Sequence, residues 1–298
     1  SNCKKSARQT PDARQNTHSG RNENAQVSTG ANSTAGRRSA VLIFVRCSIL
    51  RPMARIITEP QHVISAMAAS DSSGAITREQ TLGGDGRSAL VTALETESGW
   101  LLAGQTNASS ALMPLSHGGM DVWALLLRQS GSVSWQRTYG GSRDESIVST
   151  LPASAGGYLY LAETQSGDGQ VTGGHGAKDV WVMKVTALGS LEWQQTLGGS
   201  RVSTAAGIVE DGAGGYLVAG SSAAQDGDIG WHTSLTTGFL ARLAANGNLL
   251  SMELIGGAEE FHAVQLARSE EGAYLLGAVR RANTKGIEDE IWLGKLAE

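Results

Sequence analysis

A 58-residue period runs through the chain from residue 83 onward, and it leaves few folds open. Paired glycines stand at Gly83-Gly84, Gly140-Gly141, Gly198-Gly199 and Gly256-Gly257, spaced 57, 58 and 58. An aromatic residue after a small one recurs at Trp100, Tyr158, Tyr216 and Tyr274, always 58 apart. Trp123, Trp181 and Phe239 keep that spacing, and Trp292 follows after 53, which implies a five-residue deletion in the last unit. Gly131, Gly189 and Gly247 form a fourth set, the first two opening a turn ahead of Trp135 and Trp193. Self-similarity at a fixed period of this length marks repeat architectures. Four landmarks in one register are not a coincidence.

Within each unit the local pattern is that of strands. Segments near 88–96, 99–106, 120–130 and 132–139 are short, rich in Val, Leu, Trp and Tyr, and bounded by Gly, Ser, Asp and Asn. The run Val180 to Val185 is apolar at nearly every position, the sign of a strand covered on both faces, with counterparts at Val122 to Leu127 and Ile291 to Leu296. No segment after residue 70 carries a capped 3.6-residue apolar period, so no long helix is expected. Glycine, at 39 of 298 residues, is nearly twice its usual share of about 7%, as a fold of many tight turns requires. The reading is an all-β propeller of about four 58-residue blades with four strands each.

Charge divides the chain. Residues 1–60 hold ten Lys or Arg against Asp12, Glu23 and Glu59, while the remainder is acidic. The stretch Ser1 to Ser39 has too few apolar residues to offset its ordering entropy by burial. Residues 1–60 therefore read as a disordered basic tail, or as a non-native or targeting segment, and 61–298 as the propeller domain. The tail has no aromatic before Phe44 and no tight cationic cluster, so no nucleic-acid partner is implied. The run Ser39 to Leu50, interrupted by Arg46, falls short of the ~20 residues that span a bilayer, so no transmembrane segment is expected. Since the chain opens on Ser1, a partial reading frame with Met53 as the natural start is one reading of this end. Cys3 and Cys47 both lie in this segment, and the repeat region has no thiol.

The repeat resembles a known family. Thr138-Tyr139-Gly140-Gly141-Ser142-Arg143-Asp144, then Gly156-Gly157-Tyr158-Leu159, then Asp179-Val180-Trp181-Val182-Met183-Lys184-Val185, then Gly189 to Trp193 is similar to the blades of bacterial, mostly extracytoplasmic β-propeller proteins. Those blades read T-Y/L-G-G-S-x-D-D, D-G-G-Y-x-V-A-G-x-T and D-x-W-L-x-K-L-D-x-x-G-x-x-x-W. More distantly, the Gly-x-x-x-Trp element resembles that of quinoprotein-like propellers. The resemblance covers residues 74–298 and implies a secreted or cell-envelope location; composition gives no location of its own. The third unit departs from the pattern, with Phe239 for the tryptophan and Ser251 in the place of a second one.

The strand count adds an expectation about closure. Residues 74–84 read as a lone fourth strand ahead of the first unit, whereas the last unit stops after its third strand. Gly74 precedes Gly83 by nine residues, as Gly131 precedes Gly140. If the chain is a complete domain, strand 74–82 is thus expected to pair beside 290–298, close the last blade and remove two open edges, and the alternative is an open arc broken from a larger propeller.

Catalytic signatures are absent: no G-x-S-x-G, P-loop, H-E-x-x-H, C-x-x-C or EF-hand loop occurs. Gly167-Asp168-Gly169 lies between two strands, where no helix N-terminus is available to hold a phosphate. Asp226-Gly227-Asp228 in the matching loop offers two carboxylates to a Ca²⁺ shell that needs six to eight donors, or else is a polar turn. His117, His175 and His232, spaced 58 and 57 in the long loops before third strands, are the candidate metal ligands, with loop duplication as the competing account. Trp123, Trp181 and Trp292 read as inter-blade core. Trp231 is out of register, in a loop, and is the candidate ligand contact. No cofactor is called for. The expected function is a non-catalytic binding or scaffold propeller that recognises a protein or glycan through its loop face, and the alternative is a quinoprotein-like or metal-dependent propeller enzyme.

Overall fold

A computed structural model describes the backbone of residues 41–44, 53–58, 65–70 and 76–82, and of 86–296 apart from 109–115, 234, 257–258, 271 and 284–285. Side chains are described at Leu82 and over that later stretch outside 281–288. Residues 1–40, with Cys3, and residues 45–52, with Cys47, lie outside the described residues. Among the described residues every regular element is a β-strand, and there is no helix long and apolar enough to cross a membrane.

Strands β1 (Val41–Phe44), β2 (Met53–Thr58), β3 (Ser65–Ser70) and β4 (Ile76–Leu82) form one antiparallel sheet. The next three sheets are β5 (Ser88–Thr96) to β8 (Val133–Tyr139), β9 (Glu145–Pro152) to β12 (Leu191–Leu197), and β13 (Ser203–Glu210) to β16 (Leu249–Ile255). Between their first and last strands lie β6 (Gly99–Thr106) and β7 (Asp121–Arg128), β10 (Tyr158–Thr164) and β11 (Asp179–Val185), and β14 (Tyr216–Ser222) and β15 (Thr237–Leu243). A three-stranded sheet of β17 (Glu260–Ser269), β18 (Gly272–Asn283) and β19 (Gly286–Lys295) follows. The fold is an all-β propeller of antiparallel sheets, four of them four-stranded and the last three-stranded among the described residues, each a simple meander.

Alternation along the strands shows how an inner blade is packed between its two neighbours. On β11 every residue is buried. Trp181, Met183 and Val185 pack with Val122, Ala124 and Leu126 of the preceding blade. Val180 and Val182 pack with Tyr216, Val218 and Phe239 of the following one. Trp123, Trp181, Phe239 and Trp292 all face backward in this way, and the first three are 1% exposed or less. Each faces a small residue across the ladder, Gly104, Ala162, Gly220 and Gly277 respectively, which leaves room for the ring.

A feature that composition could not announce is a β-bulge on the first strand of every repeat. The ladder skips Val91, Val148, Ala206 and Val264, which keep the same 57, 58, 58 register. These strands also carry the contacts between neighbouring blades, β5 with β9, β9 with β13 and β13 with β17. A bulge adds local twist, which suits a strand on which successive twisted sheets converge.

Three expectations need correction. Strand β4 does not pair beside β19. Its ladder partner is β3, and β19 pairs with β18. The hairpin partner is only a few residues away in the chain, so pairing there closes a far smaller loop than reaching residue 290. Second, β4 is not alone. β1, β2 and β3 complete a sheet that reaches back into the stretch read as tail, and they carry none of the glycine or tryptophan landmarks that reveal the later blades. Third, β19 is not covered on both faces. Ile291 and Leu293 are 86% and 68% exposed, whereas their repeat equivalents Val180 and Val182 are fully buried. The difference is positional, because β13 to β15 cover only one side of the last sheet.

Candidate binding face

The loops between second and third strands fold back over the Gly-Gly-Ser turns that join successive blades. Asp168 Oδ1 accepts the Ser142 N–H at 2.8 Å, and Asp226 Oδ1, its repeat equivalent, accepts the Ser200 N–H at 2.7 Å. Gly140 N donates to Gln170 Oε1 at 3.1 Å, and Gly198 N donates to Asp228 Oδ2 at 3.3 Å. The backbone returns the contact, with Gln170 N donating to Gly140 O and Asp228 N to Gly198 O. Gly167-Asp168-Gly169 and Asp226-Gly227-Asp228 are therefore clasps for the inter-blade turns. The donated Ser142 and Ser200 N–H groups hold the Asp168 and Asp226 carboxyls below their ordinary range.

The same face carries a second repeated device at the start of the third strand. Asp121 Oδ2 accepts the His117 N–H and Asp179 Oδ2 the His175 N–H, both at 2.6 Å. Asp121 is fully buried and Asp179 2% exposed. In each the other oxygen, Oδ1, is buried without a hydrogen-bond partner. Burial pushes the Asp179 carboxyl upward despite the hydrogen bond it accepts from His175. In the third repeat the aspartate is replaced by Thr237, whose hydroxyl donates to Ile255 O.

The three candidate histidines go separate ways. His117 Nδ1 lies 3.5 Å from Asp121 Oδ2. His175 spans two blades, with Nδ1 3.8 Å from Asp179 Oδ2 and Nε2 3.6 Å from Asp228 Oδ2. His232, one residue out of register, is turned inward at 6% exposure, its Nε2 2.6 Å from Ala224 O. The structure does not gather them, and among the described residues no group of three or more His, Cys, Asp or Glu is placed to hold a metal ion.

Trp231 is 75% exposed on the β14–β15 loop, and Leu235 on the same loop is exposed to the same degree. The loop beneath them is tied down. Gln225 Nε2 donates to His232 O at 2.8 Å, His232 meets Ala224 O, and Ile229 is buried in the core between blades. Sequence reading picked out Trp231 by its lack of register, but it missed Glu145 and Gln170. Glu145 is 1% exposed, and its pairing with β7 spans a sequence distance that no motif advertises.

No protein-family model matches the chain, nor does any curated protein. Among solved structures, the parainfluenza virus 5 hemagglutinin-neuraminidase ectodomain aligns over 83% of this chain and 79% of its own, at 6% identity and a TM-score of 0.27. A Bacteroides ovatus protein assigned as a glycoside hydrolase aligns over 84% and 85%, at 8% identity and a TM-score of 0.30. Likeness at that level carries no argument about this chain, so its function is read from its own side chains.

Proposed function

We propose that the chain is a non-catalytic binding propeller that takes a protein or glycan ligand on its loop face, with Trp231 as the main contact. The observation that carries this reading is the exposed indole on a loop whose backbone is fastened by buried groups. A large aromatic surface held still loses little conformational entropy when it binds, and tryptophan is over-represented among the residues that dominate binding energy. Leu235 on the same loop is a second exposed apolar side chain. Most carboxylates on this face hold backbone N–H groups in place, a structural duty.

Trp231→Ala is expected to abolish detectable binding in a glycan array and an affinity capture performed with the full chain. A central aromatic contact contributes about 2 kcal/mol or more, roughly thirty-fold in affinity. Thermal stability should stay within about 0.5 kcal/mol of the parent, as for other exposed positions. Undiminished binding by the variant would overturn the assignment. Absorbance and metal analysis of the same preparation address the enzyme reading, which a chromophore or a stoichiometric metal would favour.

A further inference from the structure

We propose that Glu145 and Asp121 share one proton across Gly140, so that the joint between the first two 58-residue blades is a proton-dependent latch. The geometry is specific. Asp121 Oδ1 and Glu145 Oε2 both crowd the point where a side chain on Gly140 would begin, so the two oxygens converge on that glycine. Both residues are buried, at 0% and 1% exposure. Asp121 Oδ1 has no donor unless Glu145 supplies one. The remaining valences of Glu145 are occupied: Oε1 accepts the Thr164 hydroxyl at 2.7 Å and Oε2 accepts the Gly141 N–H at 3.0 Å. A hydrogen on Oε2 directed at Asp121 Oδ1 satisfies the orphan oxygen and removes the repulsion between two buried anions.

The next repeat has the same layout with different chemistry, and there Asp179 Oδ1 stays without a partner because Ser203 turns its hydroxyl to Ser222. Ser203 stands where Glu145 stands, and its Oγ lies 3.2 Å from the corresponding point on Gly198, with Asp179 Oδ1 1.9 Å from it. Ser203 Oγ lies 2.9 Å from Ser222 Oγ, as Glu145 meets Thr164, and Ser88 meets Thr106 in the blade before. The position thus takes a neutral hydroxyl in two repeats, and a neutral carboxylic acid is the form of glutamate that fits it. Burial, together with the Asp121 carboxylate, pushes the Glu145 carboxyl above its ordinary range, while the Thr164, Gly141 and Ser166 hydrogen bonds oppose this.

The other charged groups around the joint are accounted for. His117 lies against Asp121 Oδ2, Asp144 Oδ1 accepts the Met120 N–H, and Asp168, beside Arg143, holds the Ser142 N–H. Glu145 N in turn donates to Met120 O. Losing the shared proton therefore loosens the 116–120 loop and the Gly-Gly-Ser turn together.

The sign of the pH dependence follows. The folded chain keeps a proton that the unfolded chain releases in the ordinary carboxyl range, so stability from this joint is complete below that range and falls as pH rises through the higher folded value. Infrared difference spectra of the full chain taken through a pH titration should show a protonated-carboxyl carbonyl band that persists above the ordinary carboxyl range and is missing in Glu145→Gln. In Asp121→Asn, which keeps an acceptor for the His117 N–H and can donate to Glu145, the band should disappear at a lower pH than in the parent. Thermal midpoints of the parent should fall across the same interval in which its band is lost. Identical bands in the parent and Glu145→Gln, or an unshifted titration in Asp121→Asn, would overturn the shared proton. If the glutamine variant fails to fold, a parent spectrum without the band is decisive on its own.

Discussion

Trp181→Ala is expected to destabilise the chain by about 3–5 kcal/mol, the usual cost of emptying a large aromatic site. For a folded region of this size each kcal/mol lowers the thermal midpoint by about 2–4 °C, so the fall is on the order of 10 °C. Trp181 is fully buried among Val122, Ala124, Leu126, Tyr160 and Met183, and its Nε1–H donates to Gln194 Oε1 at 2.7 Å. Gln194 in turn donates to Thr172, so truncation also unsettles the anchor of a loop on the binding face. Trp181→Phe should cost far less, about 1 kcal/mol for the lost hydrogen bond, because the third repeat uses Phe239 at this position, also fully buried. Calorimetry of both variants checks the ratio. A small loss in Trp181→Ala would mean that the blades do not rely on this inter-sheet layer.

The fold was legible because its determinants are local and repeated. Strand bounds read from composition and turn residues, such as 88–96 and 99–106, coincide with β5 and β6, since alternation and glycine turns act within a few residues. The paired aromatic and small positions were legible for the same reason. The closure of the last blade was not, because pairing of β4 is decided by competition between a nearby hairpin partner and one more than 200 residues away, and a shared motif says nothing about loop entropy. Trp231 stood out by breaking register. The Asp121–Glu145 pair could not, because it joins two strands of different blades through one glycine. His117 and His175 keep the period, and each lies beside a local aspartate on its own loop, while His232 slips by one residue and turns inward.

The Gly-x-x-x-Trp element yields the second large effect. Gly189 adopts φ +77°, a left-handed conformation that L side chains avoid, and its N–H donates to Thr186 O at 3.0 Å to close the hairpin turn. The turn is also gripped from the preceding blade. Trp135 Nε1–H donates to Ala187 O at 2.9 Å, Tyr139 OH donates to Gly189 O at 2.8 Å, and a Cβ on Gly189 would stand 2.9 Å from the Trp135 ring. Gly247 and Trp193 repeat the grip one blade later, with Trp193 Nε1–H donating to Ala245 O at 3.1 Å. Gly189→Val should therefore cost about 1–2 kcal/mol for the backbone and about 1–3 kcal/mol more for the collision with the indole. The two parts separate in a double-mutant cycle, because Trp135→Ala removes the ring but leaves φ unchanged. In the Trp135→Ala background the valine should cost only the backbone part, so the double variant is more stable than the sum of the singles predicts. Strict additivity in chemical denaturation would mean that the tryptophan does not clamp the next blade. The exposed Ser251, which replaces this tryptophan in the third blade, leaves the junction with β17 to β19 without an indole clamp and dependent on Phe261 and the packing around it.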